Sequence, residues 1–386
     1  MTDLQSIAED AVARGDVPFA VLMAADPGGI THGAAAGDAA PGRPAAEDTV
    51  FRVFSMTKLV GSLAAMILID RGKLSMDAEV ETILPEWADL QVLDGFDGDA
   101  PRLRAPRTKA TVRHLATHRS GLEYEFWNAD MLRYLTVTGH PNALAGTKAA
   151  MMNMPLMFDP GERWGYGPST DWLGLVVEAV DGRRIDAFCR EEIFAPLGMQ
   201  DTAFEPDGME DRLAEVRARG EDGTFAPFDL APPPKPEIYG MGHAMYSTAP
   251  DYMRILRMLL GGGALDGARV LSDDAVNRLF ADQMEGRRFD RMETAVPPVS
   301  DSFDPFPGTA THGFGGLVNE ADIDGKRRAG TMAWAGVLNT HWWCDRTYGL
   351  AAVVMTQSLP FVEPRYMALY DRVERALYAS AGLEAA

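Results

Sequence analysis

The sequence predicts an α+β protein: an antiparallel sheet flanked by helices and completed by both ends of the chain, with a mostly helical second lobe inserted between. Three observations carry this. Strand-like apolar runs lie near the start of the 386-residue chain, and strand-like runs rich in Val, Trp, Thr and Leu return in its last third. Helix-like runs joined by long loops fill the middle. The segment Asp345-Arg346-Thr347-Tyr348-Gly349 is a hairpin turn between the last two strands. The expected units are residues 1–75 with 231–386 for the sheet lobe and 76–230 for the helical lobe, with the site between them.

The elements follow in order. Leu4 to Ala13 reads as an amphipathic helix and Phe19 to Ala24 as a strand. Asp26-Pro27-Gly28-Gly29 is a turn signal, and the Gly/Ala-rich stretch beyond it reads as a turn region. A strand is expected near Phe51-Arg52-Val53. From Ser55 to about Arg71 the chain is apolar nearly all round until Asp70, which predicts a central, buried helix. Val112 to His118, Thr170 to Val180 and Ile185 to Phe194 read as helices, the last ended by Pro196-Leu197-Gly198-Met199. Ala231-Pro232-Pro233-Pro234-Lys235-Pro236 is a stiff extended piece, expected at a lobe boundary or a cleft rim. Gly330 to Ala335, Leu338 to Trp343 and Leu350 to Thr356 read as consecutive strands. Arg365 to Ala379 is an amphipathic helix suited to covering one sheet face.

Composition narrows the partners. Lys and Arg total 36 against 56 Asp and Glu, a net charge of −20, with no long basic block. This argues against binding nucleic acid or an anionic membrane. No apolar run reaches the roughly 18–20 residues of a membrane span, and the first residues lack the basic and apolar regions of a secretion signal. Cys189 and Cys344 lie far apart and read as free thiols of a reducing compartment, so a cytoplasmic location is expected. The excess of Arg over Lys suggests a bacterial coding sequence.

The chemistry is concentrated at Ser55-Met56-Thr57-Lys58, at the start of the predicted buried helix. Residues three apart share a helix face, so the lysine nitrogen can reach the serine hydroxyl. A serine hydroxyl is a weak nucleophile until a base takes its proton, and Ser-x-x-Lys is an arrangement that opens acyl-transfer sites. Free N–H groups at a helix start favour the negative charge that develops there. Gly161-Glu162-Arg163-Trp164-Gly165-Tyr166-Gly167-Pro168-Ser169 is a Gly/Pro-rich loop carrying a lone tyrosine, whose phenol can move protons if neighbouring cations lower its pKa. Trp334-Ala335-Gly336-Val337 ends a predicted strand, and its glycine would let a ligand approach the backbone. His114 and His118 are four apart, but Leu115 stands where a zinc-protease helix needs glutamate. No metal and no cofactor is expected. Trp127, Trp342 and Trp343 are weighed as walls of an acyl pocket, with core packing the commoner fate of such residues.

With these motifs in order, the chain resembles the serine β-lactamase-like carboxylesterases (family VIII esterases), relatives of class C β-lactamases and D-alanyl-D-alanine carboxypeptidases. The matching blocks run from Phe54–Lys58 through Val112–Leu122, Pro160–Tyr166, Pro196–Thr202, Tyr246–Tyr252 and Trp334–Gly336 to Met355–Gln357. The resemblance implies a β-lactamase/penicillin-binding-protein-like fold. It implies Ser55 as nucleophile, Lys58 and Tyr166 as the proton-transfer pair, and the backbone N–H groups of Ser55 and Val337 as the oxyanion hole. It places Trp334, Gly336, Pro168 and His243 at the substrate. Two departures bear on that substrate. The β-lactamase pattern has Tyr-x-Asn where Pro168 stands, and lysine where Trp334 stands. Both changes remove polar recognition of a β-lactam. The expected activity is hydrolysis of short- to medium-chain neutral esters. β-Lactamase, D-alanyl peptidase, acyltransferase and a silent binding module are the alternatives.

Overall fold

The computed structural model describes residues 3–287, 289, 291–304 and 310–382. Its centre is an eight-stranded sheet with every neighbouring pair antiparallel. In spatial order the strands are Ala310–His312, Leu317–Asn319, Met332–Gly336, Thr340–Asp345, Leu350–Met355, Phe19–Asp26, Gly29–Ala40 and Arg43–Pro44. The N-terminal strand Phe19–Asp26 thus pairs with Leu350–Met355, with Val21 opposite Met355. Both ends of the chain build one sheet, as the sequence predicts.

The central strands Thr340–Asp345, Leu350–Met355 and, up to Ala25, Phe19–Asp26 are buried residue by residue because both faces are covered. Helices Thr57–Asp70 and Ala249–Leu260 contribute to the core on one face, which also holds Trp342. Helices Leu4–Ala13 and Pro364–Ser380 cover the other, which holds Trp343. Adjacent tryptophans therefore point to opposite sides of the sheet, as the period of a strand requires. Helix starts are fixed locally: the side chains of Asp3, Asn128, Thr248 and Ser272 each cap the helix that follows them.

The structure revises several element readings. The Gly/Ala-rich stretch after Gly29 is a twelve-residue strand, Gly29–Ala40, and not a turn region. Its alanines give little strand preference of their own. Small side chains suit it because Ala34 and Ala36 pack into the core shared with Leu4–Ala13. The strand expected from Leu338 begins at Thr340, since Leu338 and Asn339 form the turn before it. The proline-rich segment 231–236 is irregular. Pro233 and Pro236 pack against Gly146, and no residue of the segment lines the cavity described below.

Candidate active site

Ser55 lies in a single 3-10 turn, Phe54–Met56, immediately ahead of the helix Thr57–Asp70. Phe54 adopts φ of +40°, a left-handed conformation that costs a residue with a side chain on the order of 1–3 kcal/mol. Burial of its ring among Val216, Leu338 and Leu359 offsets that strain. The turn leaves Ser55 half-buried in the wall of a cavity of about 360 Å³.

Two donors converge on the Ser55 hydroxyl. Lys58 Nζ donates to Ser55 Oγ at 3.1 Å, and the Tyr166 hydroxyl donates to the same oxygen at 2.7 Å. Lys58 also donates to the hydroxyl of Tyr124 at 3.2 Å and to the carbonyl of Gly242 at 2.9 Å. Its nitrogen sits about 5 Å from the ring centres of both tyrosines (5.2 Å for Tyr124, 4.9 Å for Tyr166). The amine is 3 % exposed, and this burial pushes its pKa down to about 7, against an opposing pull from Asp171. Desolvation pushes the Tyr166 phenol above its ordinary value. The condition set for a proton-abstracting phenol, a pKa lowered by neighbouring cations, is not met: burial outweighs the lowering hydrogen bonds to Ser55 and Trp334, and Tyr166 faces Ser55 as a proton donor.

The partners behind Lys58 are held by close packing. A side chain at Gly61 or at Gly174 would place its first carbon 2.9 Å or 2.7 Å from Met241. The two glycines leave room for Met241 to wedge between helices Thr57–Asp70 and Ser169–Asp181, which sets Gly242 beside the lysine. Asp171, Tyr124 and Met241 carry no sequence motif of their own. Asp171 lies five residues after Tyr166 on the helix that the loop opens, and that spacing was the available signal.

The strand Met332–Gly336 is drawn against the Ser55 turn. The Thr340 hydroxyl bonds the carbonyl of Val53, and a Cβ at Gly336 would meet that carbonyl at 2.3 Å. Gly336 is therefore small for the protein's own backbone, and it does not line the cavity. Val337 does line the cavity with Ser55. Its turn is secured by Asn339, fully buried at φ of +58°. The Asn339 amide donates to the carbonyls of Ser358 and Pro360 at 3.0 and 2.9 Å, and its oxygen accepts from Val362 N at 2.9 Å.

Trp334 lines the cavity, along with Phe126, Trp127, Trp164 and Phe361. It stacks on His118, with ring centres 5.8 Å apart and planes 9° apart, and meets Tyr166 edge-on at 5.2 Å. Burial holds the His118 imidazole well below its ordinary pKa, so the ring is a neutral support. His114 instead caps the helix Val112–Ala116 through a reciprocal pair with Thr111. Trp342 and Trp343 are buried in the sheet cores, away from the cavity. Pro168 and His243 do not line it either. Pro168 is buried at the start of the helix Ser169–Asp181. His243 is buried beside Asp171, with Nδ1 3.8 Å from a carboxylate oxygen. A second, polar pocket of about 150 Å³ adjoins the first, shares Trp127, Trp164, Tyr166 and Met292 with it, and adds Glu123, Asn128 and Arg163.

The Beta-lactamase family pattern matches residues 4–376. The chain belongs to the Beta-lactamase family. It is 31% identical to the monacolin J acid methylbutanoyltransferase of Aspergillus terreus (strain NIH 2624 / FGSC A1156), over 96% of this chain and 93% of that protein. It is also 31% identical to the lovastatin esterase of Penicillium rubens, over 93% of each. Among solved structures, the LovD6 variant of the Aspergillus terreus simvastatin synthase superposes with a TM-score of 0.84 at 29% identity, covering 98% of this chain and 94% of that one. The fold is thus the β-lactamase/penicillin-binding-protein fold, and the chain is a serine hydrolase-type enzyme with esterase and acyltransferase relatives. Among the described residues, no helix is long and apolar enough to cross a membrane.

Proposed function

We propose that this family member is a serine carboxylesterase that cleaves neutral esters with short to medium acyl chains through an acyl-enzyme on Ser55. The observation that carries the reading is the Ser55 hydroxyl, bonded by both Lys58 and Tyr166 in the wall of an apolar cavity. Lys58, whose pKa burial brings down to about 7, is the base. Its amine takes the Ser55 proton as Oγ bonds to the ester carbonyl carbon. The N–H groups of Ser55 and Val337 hold the resulting oxyanion. Tyr166 gives its proton to the leaving alcohol as the C–O bond breaks, and Lys58 reprotonates Tyr166. Water then enters, gives its proton back along the same route, and releases the acid with Ser55 restored.

A β-lactam is the poorer substrate in this reading. Trp334, which lines the cavity, stands where an ammonium would pair with its carboxylate, and an unpaired carboxylate loses hydration without compensation. The second reading is acyl transfer to an alcohol, favoured by the names of the relatives and by the polar pocket beside Tyr166, which has room for an acceptor. The free, buried thiols of Cys189 and Cys344 support a reducing, cytoplasmic setting. The test is a panel of p-nitrophenyl butyrate, a chromogenic cephalosporin and a D-alanyl peptide, each with and without an added alcohol. Ester turnover with free acid as the main product supports the esterase. Acyl-alcohol as the main product replaces it with the transferase, and fastest turnover of the cephalosporin replaces it with the β-lactamase.

A further inference from the structure

Asp171 is a buried carboxylate that the acyl-transfer steps do not use. It lies in the first turn of the helix Ser169–Asp181 and is 1 % exposed. Its Oδ1 accepts from the N–H of Gly242 at 2.6 Å, and the carbonyl of that same Gly242 accepts from Lys58 Nζ at 2.9 Å. The first carbon of any side chain at position 242 would stand 2.8 Å from Asp171 Oδ1, 2.9 Å from the Tyr124 hydroxyl and 3.1 Å from Lys58 Nζ. The carboxylate, the phenol and the amine therefore crowd around one glycine. Asp171 Oδ2 has no hydrogen-bond partner, and neither does His243 Nδ1, which lies 3.8 Å from it.

We propose that Asp171 is a positioning residue for Lys58: through both main-chain groups of Gly242 it holds the amine against Ser55, and it supplies the charge that balances the ammonium. This rests on the reading of Ser55 and Lys58 as the acyl-transfer pair. The titratable groups facing Lys58 are Tyr124 and Tyr166 from the loops at 124 and 166, His118 from the end of the 112–118 segment, His243 beside Gly242, and Asp171. Burial keeps both phenols protonated and both imidazoles neutral, so Asp171 is the one anion of this set. A buried ammonium with no counter-charge sheds its proton more readily. Asp171 thus works against the burial of Lys58 and keeps it protonated to a higher pH, which sets where the free amine becomes available to Ser55. The first turn of a helix favours a carboxylate at this position.

The test is the pH dependence of Ser55 labelling by a fluorophosphonate and of kcat/KM for p-nitrophenyl butyrate, in the wild type, Asp171→Asn and Asp171→Glu. Asn keeps an acceptor for Gly242 and removes the charge. The expected result is an acid limb moved to lower pH by about one unit in Asp171→Asn, with Asp171→Glu staying near the wild type. An unchanged midpoint with reduced amplitude would leave Asp171 a packing role only and overturn the proposal. A wild type that no fluorophosphonate labels at any pH would overturn the acyl-transfer reading, and this proposal with it. Should Asp171→Asn not fold, Asp171→Ser gives a second reading: it too removes the charge, so its acid limb should also lie at lower pH than the wild type, and an unchanged midpoint would overturn the proposal equally.

Discussion

Tyr166 donates a 2.7 Å hydrogen bond to the oxygen of Ser55 that Lys58 also donates to from 3.1 Å, so one hydroxyl joins two proton carriers of opposite bias. Burial makes the lysine give up its proton near pH 7 and makes the phenol keep its own. The activity of a site with Lys58 as base should therefore rise as pH increases through about 7 and then level off. The sign follows from which form works: below that pH Lys58 is an ammonium and has no lone pair to offer. No falling limb is expected until the phenol ionises, above the ordinary tyrosine range. A kcat/KM profile that falls between pH 6 and 8 would contradict the assignment.

The two carriers act on one proton path, so their losses should not multiply. Lys58→Ala, Tyr166→Phe and the double variant are each expected to lose about a thousandfold or more in kcat, with the double close to the worse single. Multiplicative losses would place the residues in separate steps. Circular dichroism of each variant separates this from unfolding.

Asn339 should matter to activity although it touches no substrate. Asn339→Ala loses four side-chain hydrogen bonds and forces alanine into a left-handed conformation, for a cost of about 2–4 kcal/mol. Asn339→Gly keeps the backbone freedom and loses only the bonds, so it should be the milder of the two. Both should reduce kcat more than they raise KM, because the turn carries the Val337 N–H. Equal melting temperatures for the two variants would contradict this account of the turn.

Substrate choice is expected to follow Trp334. Trp334→Ala removes an aromatic wall supported by His118, and should lower kcat/KM for p-nitrophenyl butyrate about tenfold, equivalent to roughly 1.4 kcal/mol of contact energy. Cephalosporin cleavage should stay slower than ester cleavage in both proteins. A wild type that favours the cephalosporin would reverse the role given to Trp334.

Much of this was legible in the sequence, for identifiable reasons. Leu4–Ala13 announces itself by its periodicity, the central helix and the strand Leu350–Met355 by their continuous apolar runs, and the spacing of Ser55 and Lys58 fixes their shared face before any tertiary contact is known. What was hidden depends on packing between distant segments. Gly29–Ala40 is a strand because its neighbours make it one, since alanine has little strand preference. Gly336 reads as an opening for a ligand until the Val53 carbonyl is found filling the space. Asp171 carries no motif, and its tie to Lys58 exists only because Gly242 is folded between them. The direction of the Tyr166 pKa likewise follows from burial, which the loop sequence does not express.

The central claim is that Ser55 carries the acyl group, and intact-protein mass spectrometry after fluorophosphonate treatment tests it most directly. The account predicts one adduct per chain, mapped by peptide analysis to Ser55, formed faster as pH rises through about 7 and absent from Ser55→Ala. An adduct on another residue, or labelling that persists in Ser55→Ala, would contradict it.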